Sequence, residues 1–181
     1  MNRGAARATL VVLATGLVII GLVASSAFAT SRSSEQSLPT LNRQVFAAID
    51  RFRVSHGLAA LHESKALDHS ALAHSLEMGR RSYFGHNSAN GQAFFVRVGD
   101  YYRSKGYSYW AVGENLLWGA PAVSASQALQ MWIKSPPHLR NLETAKWREL
   151  GVSAVTVPSA GGVYGGHRVT IITTDFGVRS R

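Results

Sequence analysis

The chain has no cysteine among its 181 residues, so disulfides and thiolate metal ligands are excluded. It has no His-Glu-x-x-His helix and no glycine-flanked serine elbow, which argues against a recognised zinc peptidase or serine hydrolase. No internal repeat is present. Charged residues make up only 16% of the chain, and although they sum to +9, no run of basic residues and no nucleic-acid motif accompanies the excess, so nucleic acid is not an expected partner. Without covalent staples, stability must come from burial. With 46% hydrophobic residues the chain can fill one sizeable core and is too short for two ordinary domains.

The first residues stand apart. Arg3 and Arg7 form a positive start, residues 9–23 are apolar and uncharged, and Ala27-Phe28-Ala29 is a small-x-small cleavage pattern. Residues 1–29 are therefore expected to be a signal peptide, or an N-terminal membrane anchor if uncleaved, since the apolar run is near the lower limit for spanning a bilayer. The missing cysteine excludes a lipoprotein-type attachment. Residues 30–37 are Ser-rich and polar, as expected of a linker, and residues 38–181 are left as the domain. Export implies a secreted, extracellular or envelope-associated protein, in which a membrane is a partner only if the anchor persists. Without Arg3 and Arg7 the net charge is +7, a basic surface suited to anionic cell-wall polymers or lipid headgroups, or simply to solubility.

Periodicity places the elements. Thr40 can cap a helix with apolar positions Leu41, Val45, Ile49 and Phe52, and Gly57 ends it. Leu67, Ala71, His74 and Met78 form the stripe of a second helix closed by Arg80 and Arg81. Ser124 with Gln127 is a capping box for a helix burying Ala128, Leu129, Trp132 and Ile133, and Ser135-Pro136 restarts the chain as N-cap and first residue of another. Residues 107–112, 151–157 and 169–176 read as strands, the last two joined by a glycine-rich connection. Helices come first and strands late, an α+β order.

Three distant segments hold the candidate chemistry: Phe84-Gly85-His86, Gly113-Glu114-Asn115, and the stretch from Trp132 through Ser135-Pro136-Pro137-His138 to Asn141. Ionisable groups among aromatics are costly to bury without partners. His86 enters a polar loop and either hydrogen-bonds backbone or faces a cleft. Glu114 follows a strand and either ties down its loop or acts chemically, and a carboxylate there is paired or raised in pKa. His138 falls in the first turn of its helix, where the positive end of the helix keeps imidazole neutral. Asn141 is expected to stabilise its helix, Trp132 and His74 to belong to the core or cavity wall, and His62, His69 and His167 to be exposed. Ser88 has no evident oxyanion partner.

With Asn90-Gly91, Gly106-Tyr107, Glu149-Leu150-Gly151-Val152 and Thr174-Asp175-Phe176-Gly177 in order around them, these segments resemble the CAP superfamily (SCP-like domains) in its bacterial branch, from about Leu41 to Gly177. The resemblance implies a three-layer α-β-α sandwich with a small antiparallel sheet between helices, and a cavity lined by His86 and His138. Many eukaryotic members carry a second glutamate where this chain has Ser135, so the implied site is the triad His86, Glu114 and His138. Two imidazoles suit a divalent cation such as zinc, weakly bound, with Glu114 as third ligand or as base on bound water. Two functions follow from the resemblance: a binding or interaction module for lipid, peptide or anionic wall polymer, or a metal-assisted hydrolase of peptidase or esterase type using Glu114. A monomer is expected.

Overall fold

The computed structural model describes residues 35–181. The expected export segment and most of the expected linker lie outside them. In chain order the elements are β1 (Gln36–Ser37), α1 (Pro39–Ser55), β2 (His62–Glu63), α2 (Lys65–Arg81), α3 (Phe94–Tyr101), β3 (Tyr109–Gly119), α4 (Ala125–Ile133), α5 (Pro136–Leu142), β4 (Glu149–Val157), a 3-10 turn (Gly162–Tyr164) and β5 (Val169–Ser180). The sheet order is β1-β4-β5-β3 with antiparallel pairs throughout, and β2 adds one short parallel pairing to the start of β4. The fold is thus α+β, a three-layer α-β-α sandwich as the family resemblance implies.

Strand alternation assigns the layers. Leu150, Val152, Ala154, Ile172, Phe176 and Leu117 face one way and pack with Val45 and Ile49 of α1, Ala128 and Trp132 of α4 and Leu142 of α5. Val155, Val157, Val169, Ile171 and Leu116 face the other way and meet Met78 of α2. Leu67 of α2 joins Val98 and Tyr102 beside α3 on that same side. Each aliphatic side chain so buried stabilises the fold by about 1.5–3 kcal/mol relative to exposure.

Local signals decide the element ends. The Ser124–Gln127 capping box forms in both directions. Thr40 does not cap α1: Pro39, whose fixed φ suits the first turn, starts the helix two residues earlier than that cap would, after Leu38. Gly57 lies just past the end of α1 with φ +72°, and His56 caps that end by Nδ1 against the Phe52 carbonyl at 2.7 Å. Ser135 occupies the N-cap of α5 without a side-chain bond. Gln36 and Ser37, expected as linker, form β1. The strand expected over 107–112 runs instead to Gly119, because Gly113 is no break: it leaves room for Asn141 and Trp147 against the sheet. Helix α3 had no counterpart among the elements expected from periodicity.

Gly151 shows how closely α2 lies on the sheet. A Cβ there would fall on the backbone of Leu67 and Asp68, whereas one at Gly85 would meet nothing within 4 Å. Gly151→Ala is expected to cost about 3 kcal/mol, the upper range for overpacking, because backbone cannot turn aside. Gly85→Ala should stay within about 0.5 kcal/mol. Urea-unfolding midpoints of the two variants check this.

Candidate functional site

Glu114 and Asp175 are register partners across β3 and β5. Asp175 also faces Gly151 on β4. On β4, Val152 and Ala154 turn their N–H groups away from β5, to Asp68 and Asn42. Gly151 and Asp175 therefore exchange backbone bonds, and Glu114–Asp175 is a non-hydrogen-bonded pair, in which facing side chains come closest. Two carboxyl groups thus lie side by side under α2 and α3.

Arg97 of α3 resolves the conflict. Its Nη2 donates to Glu114 Oε2 in a buried ion pair, and its Nη1 donates to the His86 carbonyl at 2.9 Å and to Ser88 Oγ at 3.3 Å. The other Glu114 oxygen, Oε1, accepts from His86 Nδ1 at 2.8 Å. A carboxylate only accepts, so Nδ1 carries a proton toward Glu114, and in the neutral tautomer this leaves the lone pair on Nε2. The Glu114 side chain is 0% exposed and that of His86 49%. Asp175 is fully buried, and its oxygens find no hydrogen-bond partner of good geometry. Burial first, and the Glu114 charge second, push the Asp175 carboxyl well above its ordinary range, so it keeps its proton.

The loop carrying His86 is braced from below. Glu77 of α2 accepts from Tyr83 Oη at 2.7 Å and from the Ala89 N–H at 3.2 Å. Burial pushes its carboxyl up, but those donors outweigh it and the pKa lies below the ordinary value. His74, fully buried on the α2 stripe as expected, has Nε2 2.9 Å from the Gly85 carbonyl. Burial above all holds its pKa below the ordinary value, so it is neutral.

His138 stands on the other face of the sheet. Asn115, directly after Glu114, turns to that face, where its Nδ2 donates to the His138 carbonyl at 3.2 Å and its Oδ1 accepts from Asn141 Nδ2 at 3.0 Å. Trp147 Nε1 donates to the Asn141 carbonyl at 3.0 Å. Asn141 is therefore a brace, as expected, and Trp132 is core, its indole donating to the Leu116 carbonyl at 3.0 Å. Burial, then the neighbouring His86, lowers the His138 pKa.

The structure thus places His86 and His138 on either side of β3 at Glu114. Both Glu114 oxygens are engaged by protein donors, so the carboxylate stands behind His86. Among the described residues no group of three His, Asp or Glu side chains is disposed to hold a metal ion. His62, His69 and His167 are exposed and apart from the cleft. Arg97 and Asp175 did not stand out in the sequence as site residues. Their signals were an arginine three residues after Phe94 and one before Val98, on an otherwise apolar turn, and a lone carboxylate at the parity of Thr173 inside a β-branched run.

Two outcomes follow for this cluster. Arg97→Met leaves a buried carboxylate without its cation and should cost about 3–5 kcal/mol in chemical denaturation. Asp175 holds its proton more tightly folded than unfolded, so the stability it contributes is full below the ordinary aspartate pKa of about 3.9 and is lost as pH rises through its own raised value. His74 contributes the opposite slope, losing stability as pH falls below about 6.5. Asp175→Asn, which needs no proton, should flatten the decline that begins above the ordinary aspartate pKa and be at least as stable as the parent once that decline is complete. An asparagine variant much less stable than the parent there would contradict a protonated Asp175.

The comparisons with known proteins agree with this architecture. A model of the cysteine-rich secretory protein family, CAP, matches residues 46–173. YkwD of Bacillus subtilis (strain 168) is 28% identical over 126 residues, covering 70% of this chain and 47% of that protein, so the chain spans less than half of this relative. Among solved structures, an extracellular protein containing an SCP domain from Bacillus anthracis str. Ames superposes with a TM-score of 0.60 at 24% identity, over 79% of this chain and 41% of that one. An outer surface protein from Borrelia burgdorferi superposes with a TM-score of 0.67 at 17% identity, over 80% of this chain and 98% of that one. Among the described residues no helix is long and apolar enough to cross a membrane. With its matched segment running from α1 into β5, the chain belongs to the cysteine-rich secretory protein (CAP) family.

Proposed function

We propose that this domain is an exported binding module, acting at the cell envelope or outside the cell, whose cleft between His86 and His138 takes a divalent cation weakly together with a lipid, peptide or anionic polymer. The observation that carries it is the His86–Glu114 bond: a carboxylate that fixes Nδ1–H leaves Nε2 as the coordinating lone pair, the usual second partner of a ligating histidine. His138 is neutral because burial and His86 lower its pKa, which is the form a metal needs. The two imidazoles would hold the ion and Glu114 would orient the first of them. When bound, such an ion supplies a Lewis-acidic anchor for an anionic or carbonyl oxygen.

The hydrolase reading has less support. A general base needs a free oxygen within reach of the proton it takes, and both Glu114 oxygens already accept from Arg97 and His86. Ser135 stands where a second carboxylate would be needed.

Zinc is expected to bind the full chain at micromolar affinity, since two imidazoles form an incomplete shell. It should stabilise folding by roughly 2–3 kcal/mol at a hundredfold excess over the dissociation constant. Binding should weaken in acid, because protonation of His138, whose pKa lies below the ordinary value, removes one of the two ligands. Calorimetric titration of His86→Ala and His138→Ala should show most of the heat gone, with a His62 variant unchanged; equal binding by all would remove the pair as a metal site. No peptidase or esterase turnover above background is expected, and a metal-dependent activity abolished by Glu114→Gln with the fold intact would reverse the order of the two readings.

A further inference from the structure

The two outer edges of the sheet are finished differently. On β4, β2 and β1 pair with the two ends, and in the gap the N–H groups of Val152 and Ala154 donate to Asp68 at 2.8 Å and Asn42 at 2.7 Å. Among the described residues no strand pairs with the outer side of β3. It runs 11 residues without lysine, arginine or proline, the usual means of blocking an edge, and its one charged side chain, Glu114, is turned onto the sheet face. Because Asn115 and Thr174 are a hydrogen-bonded pair in this register, the even-numbered residues of β3 point their backbone groups outward. The Leu116 carbonyl is taken by the Trp132 indole. Among the described residues, the N–H groups of Trp110, Val112, Glu114, Leu116 and Trp118 have no protein partner.

That edge lies at the bottom of a walled groove. His86 and Phe84 rise on the α2 side, Met131 and His138 on the other. Phe84 is 38% and Met131 48% exposed. With Trp118 and His138 they bound a pocket of about 250 Å³ that opens on the edge at Leu116–Trp118. At Glu114 the side chain is 0% exposed but the residue as a whole 7%, so what solvent reaches there is main chain.

We propose that this edge takes an extended peptide as an added strand, its main chain paired to β3 between the two imidazoles and an apolar side chain in the Phe84–Met131 pocket. The proposal rests on the reading of the cleft as a binding site and names its ligand class. An acyl chain could fill the pocket but would leave the row of N–H groups unpaired, whereas a peptide satisfies both. A second copy of this domain, whose own β3 edge is flanked by the same exposed Phe84 and Met131, would meet those side chains before the two edges could pair. The apolar residue belongs roughly 7–13 Å along the strand from the imidazoles, two to four residues from Glu114.

The probes are acetylated, amidated threonine heptapeptides with a central Phe, Leu, Gly or Lys, each also made with alternate amides N-methylated. They are titrated into the 15N-labelled full chain in EDTA. The Phe and Leu peptides should shift the Glu114, Leu116 and Trp118 amides and slow their hydrogen exchange, binding at least ~10-fold more tightly than the Gly, Lys and N-methylated forms. Phe84→Ala and Met131→Ala, both at exposed positions, should reduce the Phe and Leu peptides to the level of Gly. Absence of shifts at those amides with every probe at about 1 mM, or equal binding by the N-methylated forms, overturns the proposal. Shifts that instead follow protein concentration without peptide would assign the edge to a second copy. Zinc binding measured separately distinguishes failure of the strand from failure of the metal reading.

Discussion

A carboxylate in the middle of a central sheet face is tolerable only if something positive is buried with it, and Arg97 is that group. Its guanidinium reaches Glu114 with one nitrogen and the His86 carbonyl and Ser88 with another. One side chain on a short helix thus fixes the sheet, the loop after α2 and the site histidine relative to one another. Desolvating both ions offsets much of their attraction. What the arrangement secures is position: Glu114 holds His86 by Nδ1, and with the backbone of that loop also tied to Arg97 the imidazole has little freedom to turn away. Asp175 is accommodated in the same space by keeping its proton, which spares the cluster a second negative charge that Arg97 could not balance.

The bracing on the opposite face follows another principle. His138 is placed through a chain of neutral amides, from Asn115 to its carbonyl and through Asn141 to Trp147. Neutral groups cost less to bury than ions and are satisfied here by one another. Adjacent residues of β3, Glu114 and Asn115, therefore position one histidine each, on opposite faces, simply because strand side chains alternate. The cleft is a consequence of that alternation at the edge of the sheet.

This also explains what the sequence disclosed. The helical stripe Leu67, Ala71, His74 and Met78 and the Ser124–Gln127 box are local patterns, and local rules suffice for them. His86, Glu114 and His138 were legible as candidates because ionisable residues among glycines and aromatics stand out. Arg97 was not, since an arginine on a short amphipathic segment ordinarily faces solvent, and only the tertiary partner, 17 residues on, makes it a buried ion. Asp175 is part of a recognisable motif but its partner was out of sight, because strand register couples positions 61 residues apart, 114 and 175. Gly113 was misjudged as an end of strand for a similar reason: the side chains that need its missing Cβ come from Asn141 and Trp147.

A shallow cleft gains affinity mostly by being rigid before its ligand arrives. Here the polar groups that could collapse into the space are already spent inward: Glu114 on Arg97 and His86, Asn115 on His138 and Asn141, Trp132 on Leu116. What stays available is backbone at the β3 edge, one lone pair on His86, a neutral His138 and two exposed apolar side chains. None of these needs to break an internal bond to engage a partner. The buried polar network thus lowers the cost of recognition, because the groups that hold the cleft open and the groups that face its contents are different atoms of the same few residues.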